Sequence, residues 1–264
     1  MAVPPLSVKI PIYNSERFLE ECIRSVQAQT FGDFEVIAVL DGCTDRSEEI
    51  LMDLKDERFR IVKHETNLGV IAGLNDGIKL AQAPLLARMD ADDIMHPERL
   101  RKQYDFMTAH PDVDILGTWF DYIDETACVI KKAFPFPTDH ERIKQDFRVR
   151  NCIGGPTMCL RTERMRLVGG YTVQDPYAED LTLSLKCLAA GYYFANIQEV
   201  LMHYRVISGQ LSERRKAETW HMTNLAYARY GREIWGDDAP DFELDAPLHR
   251  RAMKKIKRML RGQW

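Results

Sequence analysis

Between Val8 and Met89 the chain repeats one pattern: a short apolar run, an abrupt polar turn, then apolar residues at helical spacing. Val8-Lys9-Ile10-Pro11-Ile12-Tyr13 stops at Asn14-Ser15, and Phe18, Leu19, Cys22, Ile23 and Val26 follow with helical period. Phe34 to Leu40 stops at Asp41-Gly42-Cys43-Thr44-Asp45, ahead of Ile50, Leu51 and Leu54. Arg60 to His64 is a third run, and Asn67-Leu68-Gly69 turns into a helix through about Ala81. Leu85 to Met89 is the fourth, ending in Asp90-Ala91-Asp92-Asp93. Ser15 and either Thr44 or Asp45 are placed to cap the helices that follow them. Strands alternating with helices over short connections predict an α/β fold, with a mostly parallel sheet covered on both faces.

Parallel strands bring their carboxyl ends to one edge, where open α/β sheets bind ligands. The first, second and fourth runs all end there in polar groups. Neither a G-x-G-x-x-G fingerprint nor a G-x-x-x-x-G-K-[ST] loop occurs, which argues against dehydrogenase and NTPase sites. Asp90 and Asp92 are two apart, so extended backbone points both side chains the same way. Carboxylates that close repel unless protons or a cation lie between them. Oxygen-only donors suit Mg²⁺ or Mn²⁺. The same four residues also fit a solvated acidic turn leading into the helix after Pro97.

The 264 residues make one large domain or two small ones, and a net charge of −4 gives no general attraction to nucleic acid. No apolar run is long enough to span a bilayer, and Met1 to Pro5 lacks the features of a signal peptide. The six cysteines form no C-x-x-C pair, and most read as small buried residues in a reducing, cytoplasmic setting.

Beyond Pro97 an amphipathic helix carries Leu100, Tyr104, Phe106 and Met107. Ile115 to Phe120 reads as a strand, with Cys128 to Phe134 as its hairpin partner. Pro135-Phe136-Pro137 marks a soft boundary, and strands beyond it are expected in mixed directions. Asn151 to Thr157 reads as a flexible polar loop before a strand through Leu160. A helix runs from Asp180 to a Gly191 cap, Val200 to Val206 is a strand, and Glu213 to Tyr230 is helical.

The ordered set Pro11-x-Tyr13-Asn14, Asp41-Gly42-x-Thr44-Asp45, Asn67-x-Gly69, Asp90-Ala91-Asp92-Asp93, Gly169-Gly170-Tyr171, Glu179-Asp180 and Tyr204-Arg205 resembles the inverting family 2 glycosyltransferases with the GT-A fold. The resemblance covers roughly Leu6 to Ser212. It implies a Rossmann-like nucleotide-sugar half over 1–134 and an acceptor half over 135–212, with 213–264 as a helical extension. It also implies a nucleotide-sugar donor, often a UDP-sugar, and a glycan or lipid-linked acceptor.

On this resemblance Pro11, Tyr13 and Asn14 match the first base-binding segment, Asp41 the acid on base or ribose, and Asn67 and Gly69 the next donor-site turn. Taken singly, Asn14 and Asp41 also fit plain helix-capping roles. Asp90 to Asp92 match the D-x-D motif, with Asp90 on the ribose and Asp92 as main ligand of Mg²⁺ or Mn²⁺. Asp93 is an alternative metal ligand. Asp180 matches the catalytic base, and Glu179 is its runner-up. Arg205 suits a phosphate because guanidinium matches phosphate geometry, and His203, on the same side of the strand, is a candidate third metal ligand. The processive members' Q-x-x-R-W motif is replaced here by His203-Tyr204-Arg205-Val206, which favours addition of one sugar.

Two other functions compete: a sugar-phosphate nucleotidyltransferase, whose Gly-rich loop Pro11 to Asn14 does not match, and a non-catalytic nucleotide-sugar binder. At the far end, Met253, Ile256, Leu260 and Trp264 recur at helical spacing among basic residues. The stretch 249–264 therefore fits a peripheral contact with the inner face of a membrane, or a basic helix packed on the domain.

Overall fold

The computed structural model describes residues 3–132, 135–174, 176–207 and 216–240. Its first half runs β1 (Leu6–Ile12), α1 (Leu19–Gln27), β2 (Phe34–Asp41), α2 (Ser47–Leu54), β3 (Phe59–His64), α3 (Val70–Leu80) and β4 (Leu85–Arg88). There follow β5 (Ile94–Met95), α4 (Arg99–Ala109), β6 (Ile115–Ile123), β7 (Val129–Lys131), α5 (His140–Asp146), β8 (Cys159–Arg161), α6 (Thr162–Leu167), α7 (Glu179–Ala189), β9 (Phe194–Arg205) and α8 (Lys216–Trp235).

One sheet holds the order β3-β2-β1-β4-β8-β6-β9-β5, with β7 paired to β6. The first four strands are parallel. β8 runs antiparallel between β4 and β6, and β9 is parallel to β6. The mixture of directions, expected beyond Pro135, begins earlier: β5 runs antiparallel to β9 and β7 antiparallel to β6. Because β6 pairs with β8 and β9, the sheet crosses the soft boundary near Pro135 without interruption.

Strand alternation sorts the core onto two faces. Leu6, Val8, Ile10 and Ile12 join Val36, Ala38 and Leu40 in the cluster under α1, α2 and α4. Ile37, Val39 and Leu86 face the other way, toward α3, α6 and α7. Lys9 and Arg88 lie on that second face, in direct register on β1 and β4.

Two local expectations change and one holds. Ser15 does not cap α1: that helix starts at Leu19, and the Ser15 hydroxyl donates to the Tyr13 carbonyl (3.2 Å). Asp45 does serve α2, accepting from the Ser47 amide at 3.0 Å. The supposed flexible loop is instead a buried 3-10 turn, Gly155–Thr157, with Cys152 and Ile153 also buried. Its polar composition is satisfied internally, since the Thr157 hydroxyl donates to the Gly154 carbonyl (2.8 Å) and accepts from the Thr118 amide (3.2 Å).

The described part of the C-terminal extension is not detached. α8 packs on α7, the Tyr227 hydroxyl donates to the Phe147 carbonyl, and Trp235 Nε1 donates to the Lys144 carbonyl (3.2 Å). The basic stretch 249–264 lies outside the described residues. No helix among the described residues is long and apolar enough to cross a membrane.

Candidate active site

The carboxyl ends of β1, β2 and β3 build the first part of the site. Asn14, in the left-handed region (φ 46°), accepts from the Thr44 amide (2.8 Å) and donates to the Thr44 hydroxyl (3.2 Å). That joins the turn after β1 to the turn after β2. Gly42 is required there: a Cβ would meet the Thr66 and Asn67 backbone at 2.4 Å. Asp41 is buried and accepts from the Leu68 amide (2.8 Å) and the Gly69 amide (2.9 Å), so it holds the Asn67–Gly69 turn. Pro11 lies beneath α3, and Tyr13 and Asn67 remain exposed. The structure therefore gathers Tyr13, Asn14, Asp41, Asn67 and Gly69 along one edge.

The second part centres on Arg88, which sequence reasoning missed. Its guanidinium is buried and forks onto Asp90, Nε to Oδ1 at 2.9 Å and Nη2 to Oδ2 at 3.1 Å. Its Nη1 donates to Asp180 Oδ1. Asp90 of the D-x-D motif and Asp180 at the start of α7 are thus two ends of one buried ion network. Burial pushes the Asp180 carboxyl up from its ordinary range, and the Arg88 charge pulls it back down. Glu179 is pushed up to about 7, by burial first and by the Asp180 charge second.

Gly155 and Tyr171 complete the surroundings. A Cβ on Gly155 would lie 1.9 Å from Asp180 Oδ2, so only glycine leaves room for the carboxylate. Asn75 of α3 donates to the Tyr171 carbonyl (2.9 Å) and accepts from its amide (2.8 Å). Gly170 takes a positive φ of 60°, and a Cβ there would strike Asn75 Oδ1. The Gly169-Gly170-Tyr171 motif thereby seats the Tyr171 ring under Lys9, whose Nζ lies 4.4 Å from the ring centroid.

The acidic turn after β4 is held from β9. Asp93 is buried, and its Oδ1 accepts from the Arg205 amide at 2.8 Å while Oδ2 has no hydrogen-bond partner. Burial, then the neighbouring Asp92 and Asp90 charges, push Asp93 well up; burial and Asp90 push Asp92 to about 6. An orphaned buried oxygen among crowded carboxylates is the chemistry a hard divalent cation relieves. The donor set therefore fits Mg²⁺ or Mn²⁺.

Two expected ligands are placed elsewhere. Arg205 is buried and spends its guanidinium on the Asp92 carbonyl (2.8 Å), the Asp124 carbonyl (2.9 Å) and Glu21, so it holds the turn rather than reaching outward to a diphosphate. His203 pairs with Ile94, and the charges acting on it are Asp121 and His96. Among the described residues no three His, Cys, Asp or Glu side chains form a ready cation cage, so Asp92, Asp93 and His203 are not assembled as one. Two metal ligands with phosphate oxygens completing the shell remain consistent with Mg²⁺ habits.

This edge-of-sheet arrangement, with a carboxylate turn facing a carboxylate at a helix start, is that of a GT-A glycosyltransferase. Comparison with known proteins agrees. The profile of Glycosyl transferase family 2 matches residues 7–164. The chain is 33% identical over 220 residues to the UDP-Gal:alpha-D-GlcNAc-diphosphoundecaprenol beta-1,3-galactosyltransferase of Escherichia coli, covering 80% of this chain and 78% of that protein. The structure of S. aureus TarS 1-349 in complex with UDP-GlcNAc superposes with a TM-score of 0.71 at 18% identity, covering 97% of this chain and 81% of that one. Against a longer TarS chain (TM-score 0.68, 20% identity, 85% of this chain) it spans 39% of that length. The mannosyltransferase PcManGT of Pyrobaculum calidifontis, in complex with GDP-Man and Mn²⁺, matches at TM-score 0.65 and 15% identity, over 97% of this chain and 76% of that one. The chain belongs to glycosyl transferase family 2.

Proposed function

We propose that the protein is an inverting glycosyltransferase that moves one sugar from a UDP-sugar to an acceptor hydroxyl during glycan or surface polysaccharide synthesis. The observation that carries this reading is the Arg88 bridge, which sets Asp180 beside Asp90 at the carboxyl edge of the sheet. The UDP-sugar in the name of the E. coli relative and the UDP-GlcNAc bound to TarS support the donor class. The diphosphoundecaprenol in the relative's name supports a lipid-linked acceptor; the basic, apolar-spaced stretch 249–264 would meet it at the inner face of a membrane.

The nucleotide lies along Tyr13, Asn14, Asp41 and the Asn67–Gly69 turn. Asp90 contacts the ribose. Asp92, with Asp93 as the alternative, would hold Mg²⁺ or Mn²⁺; the Mn²⁺ in PcManGT supports the use of such a cation. When bound, the cation offsets the charge gathering on the leaving diphosphate.

Asp180 is the general base. Arg88 engages its Oδ1, and Oδ2 packs against Gly155, whose missing side chain leaves room for the carboxylate. The acceptor oxygen attacks C1 of the sugar, its proton passes to the Asp180 carboxylate, and the C1–oxygen bond to the nucleoside diphosphate breaks on the opposite face. One such displacement inverts the anomeric centre. Glu179, beside the base, orients the acceptor.

Release of UDP from UDP-sugars, with and without EDTA, tests the reading. Asp180→Asn is expected to bind UDP while losing about a thousandfold or more in turnover, the scale of a lost general base. Turnover near the intact level would remove Asp180 from this role.

A further inference from the structure

His64, the last residue of β3, lies behind the donor edge and has no part in the chemistry above. Its Nδ1 is 2.7 Å from Asp41 Oδ1 and its Nε2 is 2.8 Å from Asp76 Oδ2 on α3. The His64 side chain is 10% exposed and that of Asp41 only 4%. Ionised carboxylates only accept hydrogen bonds, so both ring nitrogens must donate, which requires the imidazolium. The charged groups that act on His64 are Asp41 from β2 and Asp76 from α3. Lys63 beside it pairs with Glu48, and Glu65 is exposed.

We infer that His64 is a positioning residue for the donor base, because it fixes the orientation of Asp41 from behind. The inference rests on the reading that Asp41 contacts the nucleotide. A carboxylate offers about four acceptor positions. Those of Asp41 are used by His64, the Leu68 amide and the Gly69 amide, which leaves one on Oδ2 for a base N–H. With His64 neutral, one nitrogen turns a lone pair toward a carboxylate. Whichever carboxylate is then repelled, the ring loses one of its two anchors, and the Asp41 acceptor is no longer held in place from behind.

The sign follows from the two carboxylates. Hydrogen bonding to Asp41 raises the His64 pKa above the ordinary 6.5, burial opposes this, and Asp76 adds to the rise. The imidazolium that the two carboxylates require is therefore lost as pH climbs through the raised value. Nucleotide affinity should fall in the same window.

The test is calorimetric titration with UDP from about pH 7 to about 9.5, above the diphosphate's own titration, alongside the NMR titration of the His64 ring. The intact protein should lose about tenfold in affinity, the scale of one charge-assisted hydrogen bond. His64→Gln should bind about tenfold more weakly at neutral pH, with a flat profile. Asp76→Asn should move both the affinity loss and the His64 ring titration to lower pH. A flat profile in the intact protein, or an unchanged one in His64→Gln, overturns the inference. Should His64→Gln fail to fold, an unchanged profile in Asp76→Asn does so alone. Asp41→Asn separates the underlying reading: full-strength UDP binding by that variant removes Asp41 from the donor site, whatever His64 does.

Discussion

Lys9 on β1 and Arg88 on β4 stand directly opposite each other, and both side chains are buried. Two adjacent cations in a sheet interior are unfavourable unless carboxylates answer them. Asp90 and Asp180 do so through Arg88. Burial works against the Arg88 charge, yet Asp180 and Asp90 outweigh it and hold its pKa well above the ordinary value. Lys9 shows the converse. Burial, with repulsion from Arg88, holds its pKa well below the ordinary lysine range.

Replacing Arg88 by Met leaves two half-buried carboxylates without their buried cation. Removing one partner of a buried ion pair typically costs about 3–5 kcal/mol, and urea unfolding should show a loss of that size. Activity should fall in a pH-dependent way. The Asp180 pKa, already raised by burial, loses the guanidinium that pulls it down. A base is silenced as pH falls through its pKa, so the acid limb of the UDP-release profile should move to higher pH. Arg88→Lys should restore part of the shift, because an ammonium supplies charge but no fork. An unmoved acid limb in Arg88→Met would separate Arg88 from the base.

Lys9→Met should alter stability differently at neutral and high pH. A lysine whose folded pKa is depressed weakens folding wherever the unfolded chain still binds its proton, and the penalty fades as pH approaches the unfolded value of 10.5. Methionine fills a similar volume without that penalty. The intact protein should therefore gain stability relative to Lys9→Met as pH rises from 7 toward 10, read from paired urea midpoints. A constant difference would show that Lys9 is stably charged throughout.

Much of this fold was legible because its signals are local. Apolar runs, turn residues and helical spacing put β1 to β4 and α1 to α3 close to where the sequence placed them. The polar strand ends then predicted which edge carries the site. What escaped depends on contacts between distant segments. Arg88 and Lys9 looked like isolated charges inside apolar runs, yet a charge on the inward face of a buried strand was itself the available signal. Asn151 to Thr157 read as a flexible loop because its composition is polar; its burial comes from β6 and Asp180, far away in the chain. Arg205 carried a phosphate-binding side chain, but its neighbours Glu21 and Asp124 are brought by other elements. No sequence pattern announced the pairing of His64 with Asp76.

Gly155→Ala isolates the placement of Asp180, the proposed base. The added Cβ would lie 1.9 Å from Asp180 Oδ2 and 3.0 Å from Arg88 Nη1, so the carboxylate must move. Displacement of a catalytic group by about 1 Å can cost about a hundredfold. Turnover should fall on that scale while UDP binds unchanged, since Gly155 lies away from the Asn14 and Asp41 turns. A parallel loss of UDP affinity would mean that the Gly155–Thr157 turn supports the donor edge as well.

Arg205→Lys examines the opposite side of the acidic turn. The arginine ties β9 to the Asp92 carbonyl, the Asp124 carbonyl and Glu21, while its own amide holds Asp93. Lysine keeps the charge and the amide but cannot reach three acceptors from one planar fork. Each lost hydrogen bond to a charged donor is worth about 1.5–3 kcal/mol, so a stability loss of about 2–4 kcal/mol is expected. The Asp92 backbone would then be less firmly placed, and the Mn²⁺ concentration for half-maximal UDP release should rise several-fold. Turnover at saturating Mn²⁺ should change much less, because Asp180 is held by Arg88 rather than by Arg205. If saturating Mn²⁺ fails to restore turnover, Arg205 acts on the reaction itself and the diphosphate role regains its claim.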